Sequence, residues 1–542
     1  MSTLATPAFN TAASAAQTCD EPDNKQAADK IQTKGTVDLI LSAPFSKFSP
    51  TLLSSIHAPG PSSGLDQRNE TLADPDDSVN GIVRSTDAWY PVSSDLPGGS
   101  PDDDGILMGD TTMTRLSFLA TIAMAILLSP LSDATGASLR QGEQLPGAMH
   151  TEMSKRPRIT VGQANADLIG TDNRALQAAV DYVAALGGGL VEIGAGQYTM
   201  HDSLHLRSHV TVRGQKGKTI LRKADSIVAP LSCDGDFGEE QFTVDDPTGF
   251  AVGYGVAIWD DRAGGFHTRV ARITGQNGNT FSIDKPLMAD CMVHNHAKAA
   301  TVFPVISAYD TEGVRLENLT IEGNRDNNIP LNGCRGAGIF LYRAHGTVMQ
   351  GCMIRGYNGD GISFQQSNDV TITECISERN AGLGLHPGSG SQRPVIRHCI
   401  ARFNGTDGLF LCWRVKYGLF ENNVLEQNKR FGISIGHKDS DNLFRHNTLR
   451  QNKQHGLFFR NETLPMAPHR NRFEQNVIEN NGSAEIRIRG EVRNLVFTDN
   501  VIRDTQEQGD GNIGIQIEEK VGPVRLKNNT IETQTSIDDR RP

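Results

Sequence analysis

The chain is poor in the materials of a compact core. Aromatic residues are 6% of it and hydrophobic residues 37%, too few for one globule of 542 residues, which should divide into domains or grow by repetition. No apolar run is long enough to cross a bilayer comfortably; the longest runs from Leu116 to Leu128. The eight cysteines form no paired framework, and none has the tight Cys-His spacing of a structural zinc site. Charge of one sign is also missing from most of the sequence. Up to Ala137 there are 7 basic and 17 acidic residues, leaving 45 against 46 beyond it, so the formal charge of −11 belongs almost wholly to the beginning. That balance speaks against nucleic acid as a partner.

The opening stretch, residues 1–112, is rich in Ser, Pro, Asp and Gly, with runs such as Asp102-Asp103-Asp104, and reads as a disordered acidic segment or as sequence upstream of the true start. Residues 113–137 combine Met113-Thr114-Arg115, the apolar run and small residues ending near Ala134 or Ala137, the pattern of a secretory signal. The expectation is a mature chain beginning near Ser138, exported and free of the membrane after cleavage.

What the sequence has in abundance is repetition. Leu316, Met349, Ile372, Ile396, Phe420, Phe444, Phe473, Phe497 and Leu526 head nine similar segments, 23 or 24 residues apart except at three longer spacings. Three residues after each comes Leu319, Cys352, Cys375, Cys399, Asn423, Asn447, Asn476, Asn500 or Asn529, and a second column holds Asn324, Asn380, Asn404, Asn428, Asn452 and Asn481. If successive coils stack about 4.8 Å apart, an inward amide can bond its copies above and below and so be buried without loss. Each coil resumes after Gly with a short alternating strand, as in Gly338-Ile-Phe-Leu and Gly432-Ile-Ser-Ile. The three stacked cysteines read as free thiols filling the column. The fold expected is all-β: a single-stranded right-handed parallel β-helix over residues 305–535. A cap and first coils occupy 165–223, with a helix begun by Thr171 or Asp172 and stopped near Gly187, and a small β insertion spans 224–304.

The cap helix pattern, Gly187-Gly188-Gly189, Gly194-Ala-Gly-Gln-Tyr and the Asn-bearing repeats resemble the pectate lyase-like superfamily of right-handed β-helix proteins, over Asp167 to Ile531. That resemblance implies the fold. Proteins on this scaffold include polysaccharide lyases, glycoside hydrolases, uronan epimerases and non-catalytic adhesins, so function has to come from the site.

Aligning the strands that follow Gly puts Tyr342, Arg343, Gln365, Gln366, His386, Trp413, Arg414, His437, Lys438, Arg460 and Glu462 along one stripe. Cations beside an aromatic suit a linear anionic ligand, with an acidic polysaccharide the natural partner of a monomeric secreted protein. In a lyase or uronan epimerase, His386 or His437 would take the C5 proton, while Arg414, Lys438 and Arg460 neutralise the carboxylate and a histidine or Tyr342 serves as acid. An inverting hydrolase would instead use Asp360 and Asp407, two coils apart, with Asp439 nearby. However, the repeats do not combine the adjacent aspartates and Arg-x-Lys of the polygalacturonase branch, and a clear pectate lyase calcium motif is missing. Asp439 and Asp441 are the acids that could hold a Ca²⁺. A non-catalytic glycan-binding protein is the third class.

Overall fold

The computed structural model describes residues 155–506 and 513–542. The expected acidic segment and signal sequence lie outside the described residues. Three long parallel sheets run the length of the solenoid, and each coil contributes one short strand to each. One coil shows the plan. Ala337–His345 lies in the third sheet, Val348–Gln350 in the first and Met353–Arg355 in the second, and Asp360–Gln365 then returns to the third. The register is in step throughout the repeats, so Leu316, Met349, Ile372, Ile396, Phe420 and Phe444 stack directly over one another.

Two corners of the coil depend on an αL residue followed by an inward polar one. Asn422 and His446, both at φ 54°, precede Asn423 and Asn447. Asn423 Nδ2 donates to Asn447 Oδ1 (2.9 Å), Asn447 to Asn476 (3.0 Å), Asn476 to Asn500 (2.9 Å) and Asn500 to Asn529 (2.8 Å). Each amide also donates to a carbonyl of the preceding coil, as Asn447 Nδ2 does to Phe420 O (2.9 Å), so the buried amides are satisfied. The cysteines continue this column as free thiols, with Cys399 N donating to Asn423 Oδ1. The second ladder runs from Asn380 through Asn404, Asn428 and Asn452 to Asn481. It does not include Asn324, which bonds Lys223 O and Asp225, because Tyr357 occupies the intervening coil.

The glycine before each third-sheet strand follows from this ladder. A Cβ on Gly384 would sit 2.6 Å from Gly408 O and 2.7 Å from Asn404 Nδ2, and Gly408 is similarly placed against Asn428. Inside the first sheet, Phe420, Phe444, Phe473 and Phe497 stack at 4.7, 4.9 and 4.7 Å, adding about 0.5–1.5 kcal/mol per pair to the area they bury.

Helix α1, Asn173–Ala185, buries Leu176, Ala179, Val180 and Val183, and its N-cap is Asp172, whose side chain accepts from Arg174 N. The cap begins earlier than residue 165. Arg158–Gly162 pairs in parallel with Gly189–Ile193 and extends the first sheet. Residues 228–300 form a six-stranded antiparallel sheet with its own core of Phe242, Phe250 and Phe281. The third sheet ends on Thr535–Asp539, past the repeat boundary expected at 535. Among the described residues no helix is long and apolar enough to cross a membrane.

Candidate functional site

Alternation along the third sheet decides which side chains face outward. Ile362, Leu385, Leu409 and Ile433 point into the core, so Ser363, His386, Phe410 and Ser434 form one outward column. Gln365 pairs with Gly388, and Gly388 bridges to Cys412, placing these two residues further along each strand. His386 is therefore not level with Gln365, Cys412 and Trp413, as the aligned stripe required. Ile362 lies beside Leu385, which makes Gly384 the partner of Gly361 where the sequence alignment used Gly382. A two-residue slip keeps the same face outward, so alternation could not reveal it.

The outward column is covered where the sequence spacing lengthens to 33. The extra residues form a loop, 328–336, that lies over Asp360 and Ser363. Ser363 Oγ donates to Gly333 O (2.7 Å), and a Cβ on Gly333 would collide with Asp360. His386, 3% exposed, has its Nδ1 2.7 Å from Asp360 Oδ2, while Asp360 Oδ1 accepts from Leu383 N (2.8 Å). Burial opposes a charge on this imidazole, but the Asp360 hydrogen bond and the influence of nearby Cys412 outweigh it and raise its pKa to about 9. Cys412 is pushed well up by its hydrogen bond with Cys334 and by burial, so it is a thiol. The His386 Nε2 has no partner.

A second histidine sits at the corner that follows these strands. His437 stacks on Trp413 with centroids 5.0 Å apart and planes 19° apart, and its Nε2 is 3.0 Å from Glu462 Oε1. Its Nδ1 is buried without a partner. The backbone here is strained: Trp413 and Arg414 have φ 66° and 65°, and His437 and Lys438 have φ 42° and 66°. Side chains in this region cost roughly 1–3 kcal/mol each, and such strain persists where the surroundings impose it. Arg414 is exposed and Lys438 half-exposed, so these two cations do flank the Trp413–His437 pair.

Other expected residues have different duties. Arg460 folds inward across Gly436, where a Cβ would meet its Nε at 2.4 Å, and its guanidinium lies 4.3 Å over Phe410. It donates to Ser434 Oγ (2.9 Å) and Leu411 O (2.7 Å) and pairs with Asp439 (3.3 Å), so it braces the outward column and is not a free carboxylate binder. Asp439 is fully buried, accepts from Val415 N and Gly436 N, and is raised by burial to about 7. Asp441 instead pairs with Arg470 (2.6 Å). These two acids therefore do not converge on a Ca²⁺, and no group of three or more metal-binding side chains occurs among the described residues. Arg343 pairs with Asp310 and lies 5.0 Å over Tyr342, and Gln366 is exposed. Gln365 is buried, lies over Gly388 and leaves its Oε1 unpartnered.

Asp360 and Asp407 occupy the same level two coils apart, both bonded to the Leu383 coil through the ladder. Asp360 is committed to His386. Asp407, raised by burial to about 6, accepts from Phe431 N (3.3 Å) and faces Arg430 at 3.9 Å. Sequence reasoning missed the covering loop and Cys334, whose signal was the irregular spacing itself.

A family model described as a right handed beta helix region matches residues 304–464 and again 418–537. The solenoid is a right-handed β-helix. Among curated proteins, mannuronan C5-epimerase AlgE5 of Azotobacter vinelandii is 23% identical over 293 residues, 51% of this chain and 20% of its own length. AlgE4 of the same organism is 24% identical over 276 residues, 50% of this chain and 34% of its own. The chain thus spans a fifth to a third of these relatives. Among solved structures, the β-helix is similar to the Azotobacter vinelandii AlgE6 A-module (TM-score 0.45, 14% identity, 68% of this chain and 92% of that one). It is also similar to a polygalacturonase from Erwinia carotovora (TM-score 0.43, 12% identity, 72% and 98%).

Proposed function

We propose that this β-helix acts on the uronate residues of an acidic polysaccharide by moving the proton at C5. The observation that carries the reading is two imidazoles, His386 buried and His437 half-buried, each with one buried ring nitrogen that has no partner. At His386 the Asp360 carboxylate binds Nδ1 and the raised pKa keeps the ring charged, so its free Nε2 presents a proton. At His437 the Glu462 carboxylate lies 3.0 Å from Nε2, and the buried Nδ1 has no partner and is open to accept a proton. In this reading His386 serves as the acid and His437 as the base.

In this reading Trp413 stacks on the sugar, and Arg414 and Lys438 bind its carboxylate and stabilise the negative charge that develops when C5 loses its proton. His437 takes that proton. Two coils from His437, His386 returns one through a bridging water to the other face of C5, giving the epimer, or to O4 as that oxygen leaves, giving the unsaturated product. The likeness to mannuronan C5-epimerases supports the first outcome. Because His386 lies beneath the 328–336 loop, we place a lifting of this loop before chemistry, with its return excluding water. The commitment of Asp360 to His386 argues against paired-carboxylate hydrolysis. Export by the 113–137 segment belongs to the same proposal, and the N-terminus of protein recovered outside the producing cell tests it.

Incubation with polymannuronate and polygalacturonate in D₂O tests the chemistry. Deuterium at C5 with altered sugar stereochemistry supports epimerisation, and ultraviolet absorbance of an unsaturated end supports elimination. Release of reducing ends without either refutes the proposal in favour of hydrolysis, and no change in any polymer favours a binding protein.

A further inference from the structure

The outward face of the third sheet continues beyond His386 toward the capped end, where the β insertion approaches it. Tyr309 and Tyr342 occupy the column that leads to Gln365 and Gly388, with ring centroids 6.3 Å apart. Lys285, from the insertion, places its Nζ 3.9 Å from the Tyr309 ring centroid. Arg269, from the neighbouring insertion strand Arg269–Asn277, and Arg335, from the covering loop, lie in the same field around Tyr309.

These cations are unusual in having no carboxylate at ion-pair distance, although Asp284 and Asp202 lie near enough to act on Lys285. Most arginines along the solenoid walls are paired across coils, as Arg402 is with Glu378 and Arg445 with Glu421. Among the described residues, none of Arg269, Lys285 and Arg335 has an acidic oxygen within 4 Å. The nearby acids are engaged: Asp284 and Asp202 with Arg272, and Asp310 with Arg343. Arg269 Nε is buried without a hydrogen-bond partner, and Arg335 Nε donates only to Phe266 O (2.6 Å). Burial and the neighbouring Arg335 both hold Arg269 below the usual arginine range. Three like charges gathered beside two tyrosine rings cost free energy that an anion would recover.

We propose that Arg269, Lys285 and Arg335, with Tyr309 and Tyr342, form a distal subsite for the carboxylates of a polyanionic glycan. Its tyrosines lie two to three coils from His386, roughly 10–15 Å at about 4.8 Å per coil. The same chain can therefore cross the subsite and continue to the histidines, with its rings on the tyrosines and its charges on the cations. The inference rests on the polysaccharide reading for its ligand class, but binding here is independent of proton chemistry. The insertion thereby acquires a function, since it brings Arg269 and Lys285, two of the three cations, to the groove.

The test is binding of the full chain to polymannuronate, a neutral glucan and a sulfated glucan across a salt series. The variants are Arg269→Gln/Lys285→Gln/Arg335→Gln and the single Lys285→Gln, which leaves the Arg335–Phe266 tie intact; circular dichroism checks their folding. The expected result is at least a tenfold loss of polymannuronate affinity in the triple variant. A smaller loss is expected in the single variant, with a weaker salt dependence in both and no change with the neutral glucan. Unchanged polymannuronate affinity in both variants, no binding by the wild type, or a stronger hold on the sulfated glucan would overturn the proposal. C5 exchange that persists with unchanged KM in the variants sinks the subsite while leaving the chemistry standing. Lost affinity in variants of a protein that shows no exchange does the reverse.

Discussion

Asp360→Asn is the sharpest perturbation of the acid half of the site. The asparagine keeps Oδ1 for Leu383 N, where the native contact is 2.8 Å, but turns an N–H toward His386 Nδ1 in place of the carboxylate oxygen at 2.7 Å. Burial of His386 then acts without its main opponent, so the ring loses its charge and its pKa should fall from about 9 to below the ordinary 6.5. A drop of about 2.5 units corresponds to about 3 kcal/mol at 1.36 kcal/mol per unit. The sign for stability follows. Because the folded pKa is raised, this stabilisation is fully present below about pH 6.5 and is lost as pH rises through 9. The titration of isotope-labelled histidine followed by NMR reads the pKa, and denaturant unfolding at pH 6 and pH 10 reads the linkage. A His386 pKa within one unit of 9 in Asp360→Asn would refute the assignment of the carboxylate as the group that holds the proton.

The ladders make a separate demand. Asn428→Leu strips partners from Asn404 N, Asn404 Nδ2 and Ala401 O, so it should cost about 3–6 kcal/mol in urea unfolding. Asn529→Leu, at the half-exposed end of the other ladder, should cost clearly less. Trp413→Ala should raise KM for a polyuronate about tenfold with the smaller change in kcat, the value of losing about 1.4 kcal/mol of ring stacking. Glu485 closes the second ladder by accepting from Asn481, and burial raises it to about 8. The stability it confers should be complete below about pH 4.5 and disappear as pH rises through 8, and a thermal melt series of Glu485→Gln should lack that slope.

The solenoid was readable because its cause is local and repeated. An αL corner followed by Asn, a Gly that must clear the next coil's amide, and an apolar residue stacked on its copy all recur at nearly constant spacing. The site was readable only in part. Trp413, His437, Arg414 and Lys438 do share a corner, since they fall at matching points of adjacent coils. His386 was misplaced because a two-residue slip preserves the inward and outward pattern. Arg460 was misjudged because nothing in its own coil announces the space above Gly436 that draws it inward. The cations around Tyr309 were missed altogether, because they arrive from the insertion and a lengthened loop and have no periodic counterpart.

The roles of the two imidazoles are tested most directly by deuterium incorporation at C5 of polymannuronate in D₂O, measured for the wild type, His386→Gln and His437→Gln. The wild type should exchange. His437→Gln should abolish exchange, and His386→Gln should slow product formation at least a hundredfold while leaving polymer affinity unchanged. Exchange at the wild-type rate in both variants would contradict the assignment of these two imidazoles as the acid and base of this β-helix.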